Sequence, residues 1–214
     1  MRNFAFPYFS RDIAEFWRRW HISLSTWFRD YVYFPLGGSQ GSTWMKVRNI
    51  LITFIISGFW HGANWTFIAW GALNAIYFLP LLLANKNRNN LEVVAKGKFF
   101  PSLGEASAML FTFCLTTVAW IFFRAKTISQ ALSYISGIFS DALFKAPEVM
   151  PKGKVIVWLV LFFVIEWLGR EEQYAIATLG VRWRRPMRYA MYYALLVTTV
   201  YYSGKAEEFI YFQF

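Results

Sequence analysis

From Ile50 to Leu83 the sequence is almost continuous hydrocarbon, and one short interruption, Ser57-Gly58-Phe59-Trp60-His61-Gly62-Ala63-Asn64-Trp65, constrains everything around it. One apolar run, Ile50 to Trp60, leads into it and a second, Trp65 to Leu83, leads out. As one helix, Val47 to Leu83 would be roughly 55 Å long at about 1.5 Å per residue, far beyond the roughly 30 Å hydrocarbon core of a bilayer. The chain must break or turn. Gly58, Gly62 and Asn64 are suited to it, because glycine accepts backbone angles that other residues resist and asparagine tolerates left-handed ones. The first run alone reaches only about half way through a membrane, which puts His61 at depth. An ionisable side chain there is costly unless it faces protein or water, so His61 is a functional candidate. The competing reading is a packing histidine bonded to a neighbouring carbonyl.

The 214 residues are 57% hydrophobic and 21% aromatic, with 11 Trp and 23 Phe, a balance that excludes an ordinary soluble domain and predicts an integral membrane protein. Its long apolar segments are joined by short basic or Gly/Pro-containing links, which predicts helices; a barrel would alternate over segments of about ten residues. The expected fold class is all-α, a multipass transmembrane helical bundle with interfacial amphipathic helices. Residues 1–48 form its amphipathic interfacial or re-entrant region, and residues 49–214 its transmembrane helices and loops. The net charge of +10 points to Lys and Arg on the cytoplasmic side and to anionic lipid headgroups, not to nucleic acid, for which no motif is present. Cys114, alone in an apolar run, is read as a small buried packing residue that forms no internal disulfide. Met1 to Phe9 show no signal-peptide pattern, and the sequence opens as if in mid-protein.

Ser10 is the expected N-cap of a helix from about Arg11 to Tyr33, with Asp12 in its first turn. Ile13, Phe16, Trp17, Trp20, Leu24, Trp27, Phe28 and Tyr31 recur at spacings of three and four, while Arg18, Arg19 and Arg29 fall largely on the other side. This is a basic amphipathic helix of the kind that lies in the membrane interface, with His21 at the edge of the apolar stripe. Pro35 to Ser42 is a glycine-containing turn that matches no phosphate-binding fingerprint. Asn85 to Ser102 reads as a basic loop with room for a short helix, and Ala106 to Phe123 as a membrane helix ended by Arg124 and Lys126. Ile128 to Phe144 has interfacial character, with Asp141 and Lys145, and is closed by Pro147 and Pro151. Val155 to Leu168 is a further apolar run with Glu166 near its end, and Tyr189 to Tyr202 a last membrane helix. Between them, Arg170 to Arg188 carries Arg182, Arg184, Arg185 and Arg188 and is the expected cytoplasmic loop. Alternation from that loop puts Asn85 to Ser102 inside and the turn at His61 toward the outside.

Four strings then stand together in one order: Phe16-Trp17-Arg18-Arg19-Trp20-His21-Ile22-Ser23; Trp27-Phe28-Arg29-Asp30-Tyr31-Val32-Tyr33-Phe34-Pro35-Leu36-Gly37-Gly38; the Ser57 to Trp65 stretch; and Phe209-Ile210-Tyr211-Phe212-Gln213-Phe214. On these the chain resembles, over essentially its whole length, the C-terminal part of a membrane-bound O-acyltransferase of the alginate O-acetylation branch. The resemblance implies that His61, in the Trp-His-Gly motif, is the active-site residue and that His21 is a second motif histidine. It implies relatives about twice as long, whose extra helices precede this region and enclose a tunnel where a cytoplasmic acyl donor meets an acceptor hydroxyl. The reaction implied delivers acetyl groups to an exopolysaccharide across the cell inner membrane, with extracytoplasmic acetyltransferase partner proteins finishing the transfer; a related branch passes D-alanine toward teichoic acid.

Transfer from a thioester to a hydroxyl needs a base at the hydroxyl, stabilisation of the oxyanion and exclusion of water. His61 supplies the base, and His21 orients a substrate or assists at the oxyanion. Trp60 and Asn64 are positioning candidates. Arg18, Arg19 and Arg29 are candidates for the phosphates of a donor such as acetyl-coenzyme A, or for anionic lipid, and Asp30 for pairing with an arginine. No tightly bound cofactor and no metal is expected. Two rivals differ in class: a transporter, which would often show repeated halves that this sequence lacks, and a non-catalytic membrane scaffold.

Overall fold

The computed structural model describes residues 2–140 and 153–202. Asp141, Lys145, Pro147, Pro151 and the Phe209 to Phe214 string lie outside the described residues. Among the described residues the regular structure is all helical: α1 (Ile13–Arg19), α2 (Ile22–Phe28), α3 (Thr43–Trp60), α4 (Trp65–Leu83), α5 (Leu103–Arg124), α6 (Ile128–Ile138), α7 (Gly153–Leu168) and α8 (Arg185–Tyr202). A 3₁₀ turn at Pro7–Phe9 precedes them, and a π turn at Arg29–Tyr33 continues α2. The chain divides into two units, Met1–Pro151 and Lys152–Phe214. Among the described residues two helices, α4 and α5, are long and apolar enough to cross a membrane, with mean hydropathies of 1.7 and 1.9.

The helical hairpin α3–α4 is the frame of the first unit. Asn64 starts α4 by accepting from the backbone N–H of Thr66 at 3.0 Å, and Gly62, at φ +147°, makes the turn before it. Gly58 plays a different part from the one expected: it lies within α3, and a Cβ there would run into the carbonyl of Phe67. Gly71 of α4 meets the backbone at Phe54 and Ile55 in the same way. These two glycines let the helices touch backbone to backbone, the small-residue packing that membrane helices use where water supplies no driving force. Gly71→Ala should lower the stability of the hairpin by about 1–3 kcal/mol, the usual cost of overpacking, and thermal unfolding in detergent reads it out. An unchanged midpoint would mean that the helices can separate at no cost.

The single helix expected over Arg11 to Tyr33 is broken. Helix α1 ends at Arg19, Trp20 is extended, and His21 takes a left-handed conformation at φ 43°, ψ 55° before α2 begins. Packing overrides the helical period here. The break lets Trp20 stack on Phe16 at 5.5 Å and meet Trp120 of α5 at 5.3 Å. Nor is Ser10 the cap: its hydroxyl donates to the Pro7 carbonyl at 2.7 Å, and Asp12 caps α1 by accepting from the backbone N–H of Glu15. The aromatic side of α1 is covered by protein. Ile13, Ala14 and Phe16 are buried, and Trp17 packs edge-on to Phe54 of α3 and Trp70 of α4 while its indole N–H donates to Asn74.

Cys114 of α5, expected to be buried, is exposed, and the helix starts with a capping box between Ser102 and Glu105. Its Ala119 and Phe122 join Trp70 of α4 and Ala131 of α6 in a buried core. The segment between α4 and α5 forms turns with no helix, yet it is not loose: Val94 and Ala95 are buried, and arginines from α1 grip its carbonyls. At the other end of α4, Asn64 donates to the carbonyl of Lys126, tying the His61 turn to the turn between α5 and α6.

In the second unit α7 buries none of its residues; Val155 to Val164 are exposed on every face of the helix. Trp158 meets Tyr202 of α8 edge-on at 5.8 Å, and the Arg170 guanidinium lies over Trp167 at 4.1 Å. Helix α8 begins at Arg185, so Arg185 and Arg188, expected in a loop, belong to its first turns. Pro186 sits in the first turn, where its missing N–H costs nothing.

Candidate active site

His61 sits where the α3–α4 frame turns. It caps α3, its backbone N–H bonded to the Gly58 carbonyl, and the residue is half-buried. Four rings stand around its imidazole: Trp60 at 5.1 Å and edge-on, Trp70 at 5.3 Å, Phe67 at 6.2 Å and Phe123 at 5.0 Å. Phe123 in turn touches Phe67 and Trp70, at 5.0 and 5.3 Å, so the rings brace one another. Three helices contribute to this cage. Gly62 is part of it, since a Cβ there would lie 2.8 Å from the ring of Phe67. The four rings make low-dielectric walls, which strengthen any electrostatic interaction made by a bound group.

His21 lies 40 positions away in sequence, at the break before α2, and that helix reaches the His61 turn through Phe28, whose ring meets Trp60 at 6.4 Å. The Nδ1 atom of His21 is buried and has no hydrogen-bond partner among the described residues, so that nitrogen is not spent on holding the fold.

Of the other expected site residues, all but Trp60 are committed elsewhere. Asn64 uses its oxygen to cap α4 and its nitrogen to reach Lys126. Trp60 is half exposed beside His61 and remains the positioning candidate with the best placement. Arg18 donates to the carbonyls of Asn87 at 2.7 Å and Asn90 at 2.9 Å, and burial lowers its pKa from the ordinary arginine value. Arg19 bonds Glu15 at 2.7 Å and the Ala5 carbonyl at 3.2 Å. Arg29 is exposed, paired with Asp30 at 2.7 Å and stacked over Phe34, and the pair holds the Asp30 carboxyl below its usual range. None of the three arginines is brought to the His61 cage by a contact described here; they position α1, α2 and the α4–α5 segment.

Trp70, Phe67 and Phe123 were missed as site residues. Phe67 and Trp70 follow His61 closely in an apolar run whose aromatics look alike, and Phe123 comes from another helix, so spacing carries no signal for it. Asn74 could have been found, as an amide alone in the apolar run of α4; it is fully buried, donating to Trp70 O at 2.8 Å and accepting from Trp17.

The profile of the MBOAT, membrane-bound O-acyltransferase family matches residues 2–94, the stretch that holds both histidines. The probable alginate O-acetylase AlgI of Pseudomonas putida is 32% identical over 235 aligned positions that take in 100% of this chain. The chain belongs to the membrane-bound O-acyltransferase family. The probable alginate O-acetylase AlgI of Azotobacter vinelandii is 42% identical over 65% of this chain, and the peptidoglycan O-acetyltransferase of Helicobacter pylori 41% identical over 64%. The chain spans about a quarter to a half of these family members, 26%, 46% and 24% of the Azotobacter, Pseudomonas and Helicobacter proteins.

Proposed function

We propose that the protein is an integral-membrane O-acyltransferase that moves an acetyl or similar acyl group from a thioester donor toward hydroxyls of an extracytoplasmic polysaccharide, with His61 as general base. The observation that carries this reading is that His61, the histidine of the Trp-His-Gly motif, stands in an aromatic-walled turn of a chain that belongs to the membrane-bound O-acyltransferase family. Base and acceptor would meet where the walls exclude bulk water, which otherwise hydrolyses the donor. The base takes the hydroxyl proton as the oxygen attacks the acyl carbon, and the thiolate leaves. His21 serves to orient a substrate or donate to the oxyanion, and Trp60, half exposed beside His61, to position the acceptor.

Acceptor chemistry is read from the relatives' names: alginate in one set, peptidoglycan in another, both extracytoplasmic polymers bearing hydroxyls. The donor is acetyl-coenzyme A or another acyl thioester, and extracytoplasmic transferases complete the delivery. Arg18, Arg19 and Arg29 serve the fold and the lipid headgroups before any donor phosphate. The setting is the cell inner membrane, crossed several times: α4 and α5 span, as do α7 and α8, and α1 and α2 serve as the interfacial region. In domain terms residues 1–48 are that interfacial region and 49–214 the membrane helices and loops, except that α3 starts at Thr43.

The test is transfer itself. Membranes from cells expressing the complete gene, supplied with a labelled acetyl thioester, are expected to pass label to hydroxyl-bearing polymer or to an intermediate carrier, and membranes without the protein are not. Label that never leaves the donor, with the protein folded and inserted, would overturn the reading.

A further inference from the structure

Helix α2 has a cap that its own sequence does not supply. A helix leaves its first N–H groups without intrahelical partners, and ordinarily the side chain of the preceding residue accepts from one of them. Here that residue is His21, which makes no such bond. The backbone N–H of Ile22 donates to the carbonyl of Asn3 at 2.9 Å, and the N–H of Ser23 donates to Asn3 Oδ1 at 3.0 Å. On the other side of the break, the N–H of Ala5 donates to the Arg19 carbonyl at 2.9 Å and Arg19 Nη1 donates to Ala5 O at 3.2 Å. Between these two, Phe4 sets its ring edge-on to Trp20 at 4.9 Å and 5.9 Å from the His21 imidazole. Three consecutive residues therefore hold the chain immediately before and immediately after His21.

That grip matters because of the conformation it holds. A left-handed backbone is unfavourable for a residue with a side chain, and it persists only where the surroundings over-determine it. Released, residues 20–22 would relax toward the continuous helix that the three-and-four spacing of their apolar neighbours favours, and the imidazole would rotate with the backbone, away from its place beside Phe4 and at the head of the helix whose Phe28 meets Trp60.

We propose that Asn3 is a positioning residue for His21: its two oxygens hold the left-handed turn that keeps the imidazole at the His61 site. The inference rests on reading the two histidines as the reacting pair. The experiment compares Asn3→Ala, Asn3→Leu, Asn3→Asp and His21→Ala in the full-length membrane protein, measuring kcat and KM for a labelled acetyl thioester per folded molecule, with thermal unfolding in detergent alongside. Both Asn3→Ala and the near-isosteric Asn3→Leu keep the backbone bond to Ile22 and lose the bond to Ser23. They are expected to lower kcat about ten- to a hundredfold, the scale of a misplaced group, with donor KM within about twofold. Asn3→Asp keeps the acceptor and is expected to restore kcat.

A merely structural cap would lower the folded fraction and leave kcat per folded molecule unchanged. That result, or an aspartate that does not rescue, would overturn the proposal while His21→Ala remains strongly impaired. Full activity in His21→Ala would remove the histidine reading itself, and the inference with it.

Discussion

Replacing His61 with alanine is expected to abolish acyl transfer, with a loss of at least ~10²-fold, because general-base assistance of this kind contributes about 10² to 10⁴ in rate. An alcohol is a poor nucleophile at neutral pH, and its proton must leave as the new bond forms. The rings packed against His61 are indoles and phenyls, which accept no proton. His21, the other motif histidine, is held by its own turn. The alanine variant would also lose ring contacts, so His61→Phe is the matched control: it keeps an aromatic body in the cage and lacks the base. Both variants should insert in the membrane at wild-type levels, scored by immunoblot, and both should be inactive with labelled acetyl donor. Imidazole added to the medium should restore part of the activity of the alanine variant and none of that of the phenylalanine variant. Normal transfer by either would take His61 out of the mechanism.

How far such a site can be seen in the sequence depends on the range of the forces that build it. The hairpin was legible because membrane thickness is a length that apolar runs must match, and because Gly62 and Asn64 announce a turn at a fixed offset from His61. The boundaries of α5 and α7 followed from their apolar runs to within about three residues, the ordinary precision of such limits. The break at His21 was not legible. The three-and-four spacing through Trp20 is that of one continuous helix, and what interrupts it, Asn3 with the rings of Phe4 and Trp120, arrives from elsewhere in the chain. Gly58 misled for a related reason: a glycine before a turn looks like a breaker, whereas here it marks where two backbones touch. The arginines misled as well. Charge on an amphipathic helix reads as a surface, but Arg11 and Arg19 close on a carboxylate that the sequence reading passed over.

That carboxylate, Glu15, carries the largest expected effect on folding. Its side chain is 1% exposed and lies in the fork of Arg11, which reaches its two oxygens with Nε and Nη2, each at 3.1 Å. Arg19 Nη2 reaches the same carboxylate at 2.7 Å, and the backbone N–H of Arg11 donates to it as well. Arg11 also meets Glu105, and both arginines reach the carbonyl of Glu92, so one buried carboxylate ties α1 to the segment that connects α4 with α5. Taking a carboxylate from the middle of such an arrangement leaves two guanidinium groups, 13% exposed or less, facing one another with no anion between them. Breaking a buried pair by removing one partner costs about 3–5 kcal/mol, far more than the pair itself contributes against an apolar replacement. Glu15→Ala is therefore expected to lower stability by that amount, read as a large drop in the unfolding temperature in detergent and in the level of inserted protein. Glu15→Gln, which keeps two acceptor or donor positions and loses only the charge, should fall between. Because Arg19 ends α1 and its carbonyl is held by Ala5, the same substitution should also loosen the turn at His21, so transfer activity per folded molecule should decline with it. A Glu15→Ala protein as stable as the wild type would mean that the arginines find water or lipid phosphate in place of the carboxylate, and that α1 is held by its aromatic face alone.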